Sequence, residues 1–267
     1  MPTESAADHR TEERARAVEA EVAANRRIAE HMTRVTVAGE ALADPERFPF
    51  DGPDQLVRLL FPTREGVLSL PRTADWWKEI QAMDERARPS VRNYTVRGLD
   101  RGRRELDIDF VLHGDTGPAS AWAGRARPGD RIGLISDGAR YAPPADADRL
   151  LLVGDETAHP ALASIIEGLP DGARALALLE SAPGNAPELP DRPGVERIHL
   201  DPAPGAPSGT AVLDLLARTP LAGHRPYAWV AGESALATSV RRHLVADRGV
   251  PKDRIYFCGY WRRGPRH

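Results

Sequence analysis

The chain predicts two domains of different construction: an N-terminal six-stranded antiparallel Greek-key β-barrel, then a C-terminal α/β domain with a mostly parallel sheet. Three observations carry this. Residues 32–135 are dominated by short apolar–polar runs separated by turn residues, with only one short stretch of helical spacing. A proline- and aspartate-rich stretch, Ala142-Pro143-Pro144-Ala145-Asp146-Ala147-Asp148, suits a linker. Beyond it, continuous apolar runs alternate with helical patterns, the grammar of βαβ units and an open sheet. A length of 267 residues is long for one core and comfortable for two. The expected division is a tail at 1–19, a barrel domain at 20–145 and an α/β domain at 146–267.

Within the first domain, Met32–Val37 alternates as a half-buried strand and Gln55–Phe61 is a second. Pro62–Pro89 reads as a loop carrying a short helix, with Trp76, Trp77 and Ile80 at helical spacing and the tryptophans expected in the core. Strands follow at Val91–Arg97, Glu105–Val111 and Arg131–Ile135, the last after a Pro128-Gly129-Asp130 turn. In the second domain, Arg149–Gly154 and Arg174–Glu180 have the unbroken apolar character of buried parallel strands and flank a helix from Thr157 to Gly168. Strands at Val195–His199, Tyr227–Ala231 and Ile255–Tyr260 alternate with helices at Gly209–Ala217 and Ala235–Asp247. Ala182–Pro190 and Asp201–Ser208 are Pro/Gly-rich loops, and no internal repeat is visible.

The bulk numbers exclude several classes of function. With 41% hydrophobic and 28% charged residues and a formal charge of -3, the composition is that of a globular protein, and nothing in it asks for nucleic acid. The 36 Lys and Arg nearly balance the 39 Asp and Glu, so any electrostatic role must be local. One cysteine, Cys258, cannot form an internal disulfide or ligate a cluster, which fits a reducing compartment. The N-terminal residues contain neither a signal-type apolar core nor a membrane-spanning run, so a cytoplasmic protein without membrane insertion is expected. They read as a frayed tail or an exposed helix with Glu and Arg partners.

Two adjoining motifs carry the chemistry. Arg92-Asn93-Tyr94-Thr95 places a cation, a flat aromatic and a hydroxyl on one strand, so a planar ring can lie on Tyr94 while Arg92 neutralises a phosphate and Thr95 bonds the ring edge. Downstream, the apolar strand ending in Val111-Leu112-His113 breaks at Gly114 and Gly117. A helix then starts near Ser120, where free N–H groups and the helix dipole favour an anion. Ala119, Ser120 and Ala121 are small enough for close backbone approach. Together these describe a cradle for a planar ring carrying a pyrophosphate.

On these motifs, with Pro128-Gly129-Asp130, Gly154-Asp155-Glu156-Thr157-Ala158, Ala231-Gly232-Glu233 and Gly259-Tyr260-Trp261-Arg262-Arg263-Gly264, the chain resembles the siderophore-interacting protein family from about Arg27 to Gly264. These are flavin-dependent ferric-siderophore reductases related to ferredoxin-NADP reductases. The resemblance implies FAD as cofactor, NAD(P)H as hydride source, and a ferric siderophore as the substrate whose iron is reduced and released as Fe(II). It also admits a ferredoxin as electron donor. Arg92 is then expected at the flavin pyrophosphate, Tyr94 on the isoalloxazine and Thr95 near its reactive nitrogen. Asp109, Val111, His113, Ala119, Ser120 and Ala121 complete the flavin set. His113 also reads as a structural histidine at a strand end, and Trp122 either covers the adenine or packs beneath the helix.

The turn at Gly154 is not G-x-G-x-x-G and alone would be an ordinary helix start with Thr157 as cap. By resemblance, Gly154, Glu156, Thr157 and Ala158 approach the nicotinamide and ribose. Glu180 follows at roughly the spacing at which an acid binds adenosine ribose hydroxyls, which favours NADH because a carboxylate repels a 2′-phosphate, although Arg174 and Arg192 stand nearby in sequence. Arg262 and Arg263, with Arg266 and His267, are either a solvated end or the basic rim that holds an anionic chelate. Asp137 places a charge near the expected flavin edge where relatives carry a Gly-Pro-rich turn. His159 stands at a usually aliphatic position as a donor or a filler. A same-fold reductase with an electron-transfer protein, flavin or quinone as acceptor, and a non-catalytic flavin or siderophore carrier, are the alternatives.

Overall fold

The computed structural model describes residues 16–113, 117–202, 204–221 and 225–264. The expected tail up to residue 15, the break at Gly114, and Arg266 and His267 lie outside the described residues. The chain divides into two compact units, the first holding the residues up to Ile28 and Met32–Ala139, the second Ala29–His31 and the residues from Arg140 on.

The first unit is a seven-stranded antiparallel sheet built from β1 (Val18–Ala29), β2 (Met32–Ala38), β3 (Leu56–Phe61), β4 (Ser90–Thr95), β5 (Gly98–Asp100), β6 (Glu105–Val111) and β7 (Arg131–Ser136). Its strand order is β4-β3-β7-β1-β2-β6-β5. Apolar–polar alternation marks no strand before Met32, and the expected barrel has six strands rather than seven. β1 is nonetheless the longest of the seven, alternating buried Val18, Ala20 and Val22 with exposed Glu19 and Glu21. Its inward positions are partly alanine and its outward ones densely charged, so the apolar signal is faint. β5 is a three-residue hairpin arm paired to β6.

The sheet curls because its inner face is continuous hydrocarbon. Val35, Val57, Leu59, Ile108 and Phe110 are fully buried there, and the Tyr94 and Phe110 rings, 4.4 Å apart, bring β4 against β6. Helix α1 (Trp76–Ala82) lies on the outer face, packing Ile80 on Leu60 and Ile135. Contrary to expectation, Trp77 is 53% exposed, and Trp76 is half-buried beneath the Arg58 guanidinium, 4.9 Å from its ring centroid. Helix α2 (Pro118–Arg125) drives Trp122 into the core, 5.4 Å edge-on from Phe61 and 6.0 Å from Phe110, which decides for packing.

The second unit is a five-stranded parallel sheet: β8 (Arg149–Asp155), β9 (Ala175–Glu180), β10 (Val195–Leu200), β11 (Pro226–Glu233) and β12 (Ile255–Trp261), in the order β10-β9-β8-β11-β12. The three central strands are buried along almost their whole length, because a parallel sheet is covered on both faces. Its helices are α3 (His159–Gly168), α4 (Thr210–Arg218) and α5 (Ser234–Ala246). One covered face holds Leu151, Val153, Leu178, Val212, Leu236 and Val240. The chain leaves β8 toward β9 on one side, while β11 lies on the other and leads away to β12. The carboxyl ends of β8 and β11 therefore form a topological switch point, where open α/β sheets bind their ligands.

Candidate functional site

In the first unit, Arg92 and Tyr94 share one face of β4, in register with Leu59 and Val57. Both are half-buried. Burial pushes the Tyr94 phenol well above its usual value, with the neighbouring Arg92 charge opposing, so the ring stays neutral. The Arg92 guanidinium donates to the Val91 carbonyl at 2.7 Å. Thr95 ends the strand and is buried.

The aromatic sequence Tyr94–Phe110–Trp122 joins β4 to α2, so the two motifs read separately along the chain belong to one structure. α2 starts at Gly117-Pro118 with no side chain capping it, and Pro118 has no N–H to satisfy. Ala119 and Ser120 are buried and Ala121 is half-buried. The Ser120 hydroxyl accepts the His113 amide at 3.1 Å, tying the strand end to the helix start. A helix terminus without a side-chain cap, lined by small residues and linked through Trp122 and Phe110 to the arginine-bearing strand, fits a pyrophosphate, and the half-buried tyrosine fits a planar ring.

Two acids expected near the flavin have protein partners. Asp109 is 3% exposed and accepts both Arg34 donors, at 2.6 and 2.8 Å, across the β2–β6 pair. That is the bidentate geometry of a structural ion pair. Asp137 accepts a hydrogen bond from Arg58, so the charge expected at the flavin edge is compensated by a neighbour. Val111 ends β6 opposite Met32.

In the second unit, Gly154 must be glycine. A Cβ there would stand 2.5 Å from the Ala158 Cβ and 3.1 Å from the Ala231 carbonyl. Thr157 is not a cap: α3 begins after Ala158, with no side-chain cap, and the Thr157 amide and hydroxyl both donate to Asp155 Oδ1, at 2.9 and 2.5 Å. Asp155 Oδ2 accepts the Glu233 amide at 2.7 Å and the Trp261 indole N–H at 2.8 Å. Burial pushes the Asp155 carboxyl up, against these four donors. Glu156, half-buried beside it, is pushed up by desolvation and then by the Asp155 and Glu180 charges, while Arg263 pulls it down.

Glu180 is buried at the end of β9, where its carboxylate accepts the Gly209 amide at 2.7 Å before α4. Glu233 caps α5, accepting the Ala235 and Leu236 amides. Arg262 and Arg263 are exposed, but the backbone here is docked, since the Arg263 amide donates to Glu233 Oε1 at 3.2 Å. His159 is buried in α3. Asp155, Glu233 and Trp261 are the residues that sequence reasoning left out of the site. An acid directly closing the apolar strand Leu150–Gly154 was the available signal for Asp155.

An antiparallel barrel with a helix start that no side chain caps, followed in one chain by a parallel sheet with a glycine-built switch point, defines a two-domain class of FAD-binding protein. Within that class the chain belongs to the siderophore-interacting protein family. Residues 21–141 match the siderophore-interacting FAD-binding domain, and residues 147–264 match the siderophore-interacting protein domain. The chain is 31% identical over 244 residues to the ferric vibriobactin reductase ViuB of Vibrio cholerae, covering 89% of this chain and 86% of that protein. It is 28% identical over 241 residues to an NADPH-dependent ferric-chelate reductase of Escherichia coli, covering 88% and 89%. A crystal structure of a siderophore utilization protein from T. fusca superposes with a TM-score of 0.79 at 36% identity, covering 95% of each chain. Among the described residues, no helix is long and apolar enough to cross a membrane.

Proposed function

We propose that this chain is an FAD-dependent NAD(P)H:ferric-siderophore oxidoreductase, which reduces Fe(III) bound in a siderophore and releases Fe(II) in the cytoplasm. The observation that carries the reading is the α2 start, without a side-chain cap and tied through Phe110 and Trp122 to the strand bearing Arg92 and Tyr94. Arg92 and the α2 amides would hold the pyrophosphate, and Tyr94 would lie against the isoalloxazine. FAD, when bound, supplies the conversion between a two-electron hydride donor and a one-electron metal acceptor.

The residues of the second unit bind and orient the donor. Gly154 lets the start of α3 pack closely on β8 and β11, which sets the turn of Glu156, Thr157 and Ala158 that the nucleotide would meet. The Glu180 carboxylate at the end of β9 disfavours a 2′-phosphate, so NADH is the proposed donor. Arg262 and Arg263, exposed at the end of a docked strand, present guanidinium groups to an anionic chelate. No side-chain acid or base is needed. Hard oxygen ligands hold Fe(III) far better than Fe(II), so reduction itself loosens the iron. The relatives named for ferric vibriobactin and ferric-chelate reduction support this choice of substrate.

Anaerobic absorbance spectroscopy tests the reading. The purified protein should be yellow, bleach on addition of NADH, and regain its colour when a ferric siderophore is added, with Fe(II) trapped by a ferrous chelator. A yellow protein that neither nicotinamide bleaches would be a carrier instead, and a bleached protein that ignores ferric chelates would serve another acceptor.

A further inference from the structure

The last strand ends on a buried hub. Asp155 is 3% exposed, and its two oxygens collect four donors from three segments: the Thr157 amide and hydroxyl on one oxygen, and the Glu233 amide and the Trp261 indole on the other. The carboxylate packs directly onto the β11 backbone. A Cβ at Gly232, whose φ is +131°, would stand 2.7 Å from the Asp155 Cγ. Burying a carboxylate is costly unless it is fully hydrogen-bonded, so a fully engaged acid at a strand end points to something that needs holding.

What it holds is the segment that leads to the arginines. Trp261 is bound at both ends, its indole N–H by Asp155 and its carbonyl by the Ser234 hydroxyl at 2.8 Å. Two residues on, the Arg263 amide is bound by Glu233. Arg262 therefore sits between two anchored neighbours. Arginine side chains lose affinity for a ligand in proportion to the freedom they give up on binding, and anchoring their backbone removes part of that loss in advance.

We infer that Asp155 is a positioning residue for the chelate: through Trp261 it fixes the C-terminal segment on the ends of β8 and β11, so that Arg262 and Arg263 are held in place before substrate arrives. The inference rests on the proposal that these arginines bind the anionic chelate. It gives Asp155 a task that its place in the nicotinamide-side turn does not itself require. All four of its partners are donors, so asparagine cannot replace it. One oxygen would become an NH₂ group facing two N–H groups, or facing the Thr157 pair.

The test compares Trp261→Phe, Asp155→Asn, the pair Arg262→Ala/Arg263→Ala, and the combination of Trp261→Phe with the arginine pair. Steady-state reduction is measured with an anionic ferric tris-catecholate and with a neutral ferric tris-hydroxamate. Trp261→Phe keeps an aromatic side chain and removes the N–H that Asp155 binds, together with the five-membered ring that carries it. It should raise KM for the anionic chelate by roughly 2- to 10-fold, the cost of freeing one or two side chains, and leave KM for the neutral chelate within about 2-fold. Asp155→Asn should move the anionic KM in the same direction. In the chain already lacking both arginines, Trp261→Phe should add nothing further, because the two changes act on one interaction.

Equal effects on both chelates, or full additivity with the arginine pair, would overturn the positioning role and leave the arginines' role intact. An arginine pair without effect on the anionic KM would overturn the substrate assignment of Arg262 and Arg263, and this inference with it. FAD content and the melting temperature report folding. If both Trp261→Phe and Asp155→Asn fail to fold, the hub serves stability and the inference falls.

Discussion

Replacing Gly154 by alanine tests the second unit at its tightest point. The added methyl would lie 2.5 Å from the Ala158 Cβ, 3.1 Å from the Ala231 carbonyl oxygen and 3.3 Å from the Leu162 Cδ1. Carbon pairs prefer about 3.5–4.0 Å, so the first contact is short by about 1 Å. Ala158 and Ala231 are fixed by main chain, and only the Leu162 terminus can swing aside. Relief therefore means moving the start of α3 away from β8. Overpacking of this kind costs about 1–3 kcal/mol, from which about 0.5–1 kcal/mol is recovered because alanine has less freedom than glycine in the unfolded chain. A net loss of about 1–2 kcal/mol should lower the melting temperature by several degrees, at about 2–4 °C per kcal/mol for a domain-sized unit. The displaced segment includes Glu156, Thr157 and Ala158, so the apparent constant for NADH in anaerobic stopped-flow flavin reduction should rise by at least tenfold. FAD content should not change. An unaltered melting temperature would refute the packing argument, and a lowered one with unaltered NADH kinetics would remove this turn from the donor site.

Four further outcomes follow from the same geometry. Arg92→Ala should weaken FAD binding by about 1.5–3 kcal/mol, the loss of a charge-assisted bond to phosphate, read as flavin released on dilution; unchanged affinity would remove Arg92 from the site. Asp109→Ala should cost about 3–5 kcal/mol in chemical denaturation, because Arg34 would keep its charge and lose the carboxylate that takes two of its donors; a small stability change with loss of FAD would make Asp109 a cofactor contact instead. Glu180→Gln keeps an acceptor for the Gly209 amide and removes only the charge, so the ratio of NADH to NADPH efficiency should fall, and a wild type that already prefers NADPH would refute the role given to Glu180. Because the Glu156 carboxyl is raised in the folded state, that state binds more protons than the unfolded chain from about pH 4 up to the raised value. The contribution of Glu156 is thus most favourable below that window and declines as pH rises through it, so Glu156→Gln should gain stability over wild type across the window and lose the gain in acid; a pH-independent difference in denaturation midpoints would refute this.

Reading along the chain reached a feature wherever its cause was local. The buried strands β8, β9 and β11 announce themselves as apolar runs, and the α2 start by Gly117, Pro118 and three small residues. β1 stayed hidden because alanine at inward positions and glutamate and arginine outside give an alternation too shallow to see. Trp77 was misplaced because helical spacing identifies a face without saying what covers it, and here the neighbouring Trp76 takes the contact with Arg58.

The sequence by itself determined the class: a barrel, then a parallel sheet, with a helix start at Gly117-Pro118 in the first and a switch-point turn at Gly154 in the second. Those follow from periodicity, turn chemistry and helix-end physics, all of which act within a few residues. Only the tertiary structure decided how the charges are spent. Asp109 is paired with Arg34, Asp137 with Arg58, and Glu180 with a loop amide. Asp155 meets Trp261 from 106 residues away. That meeting depends on the parallel register that sets Gly154 beside Ala231 and Gly232 beside Gly259. A buried carboxylate is tolerable only where donors converge, and convergence is a property of packed strand ends that no local pattern encodes.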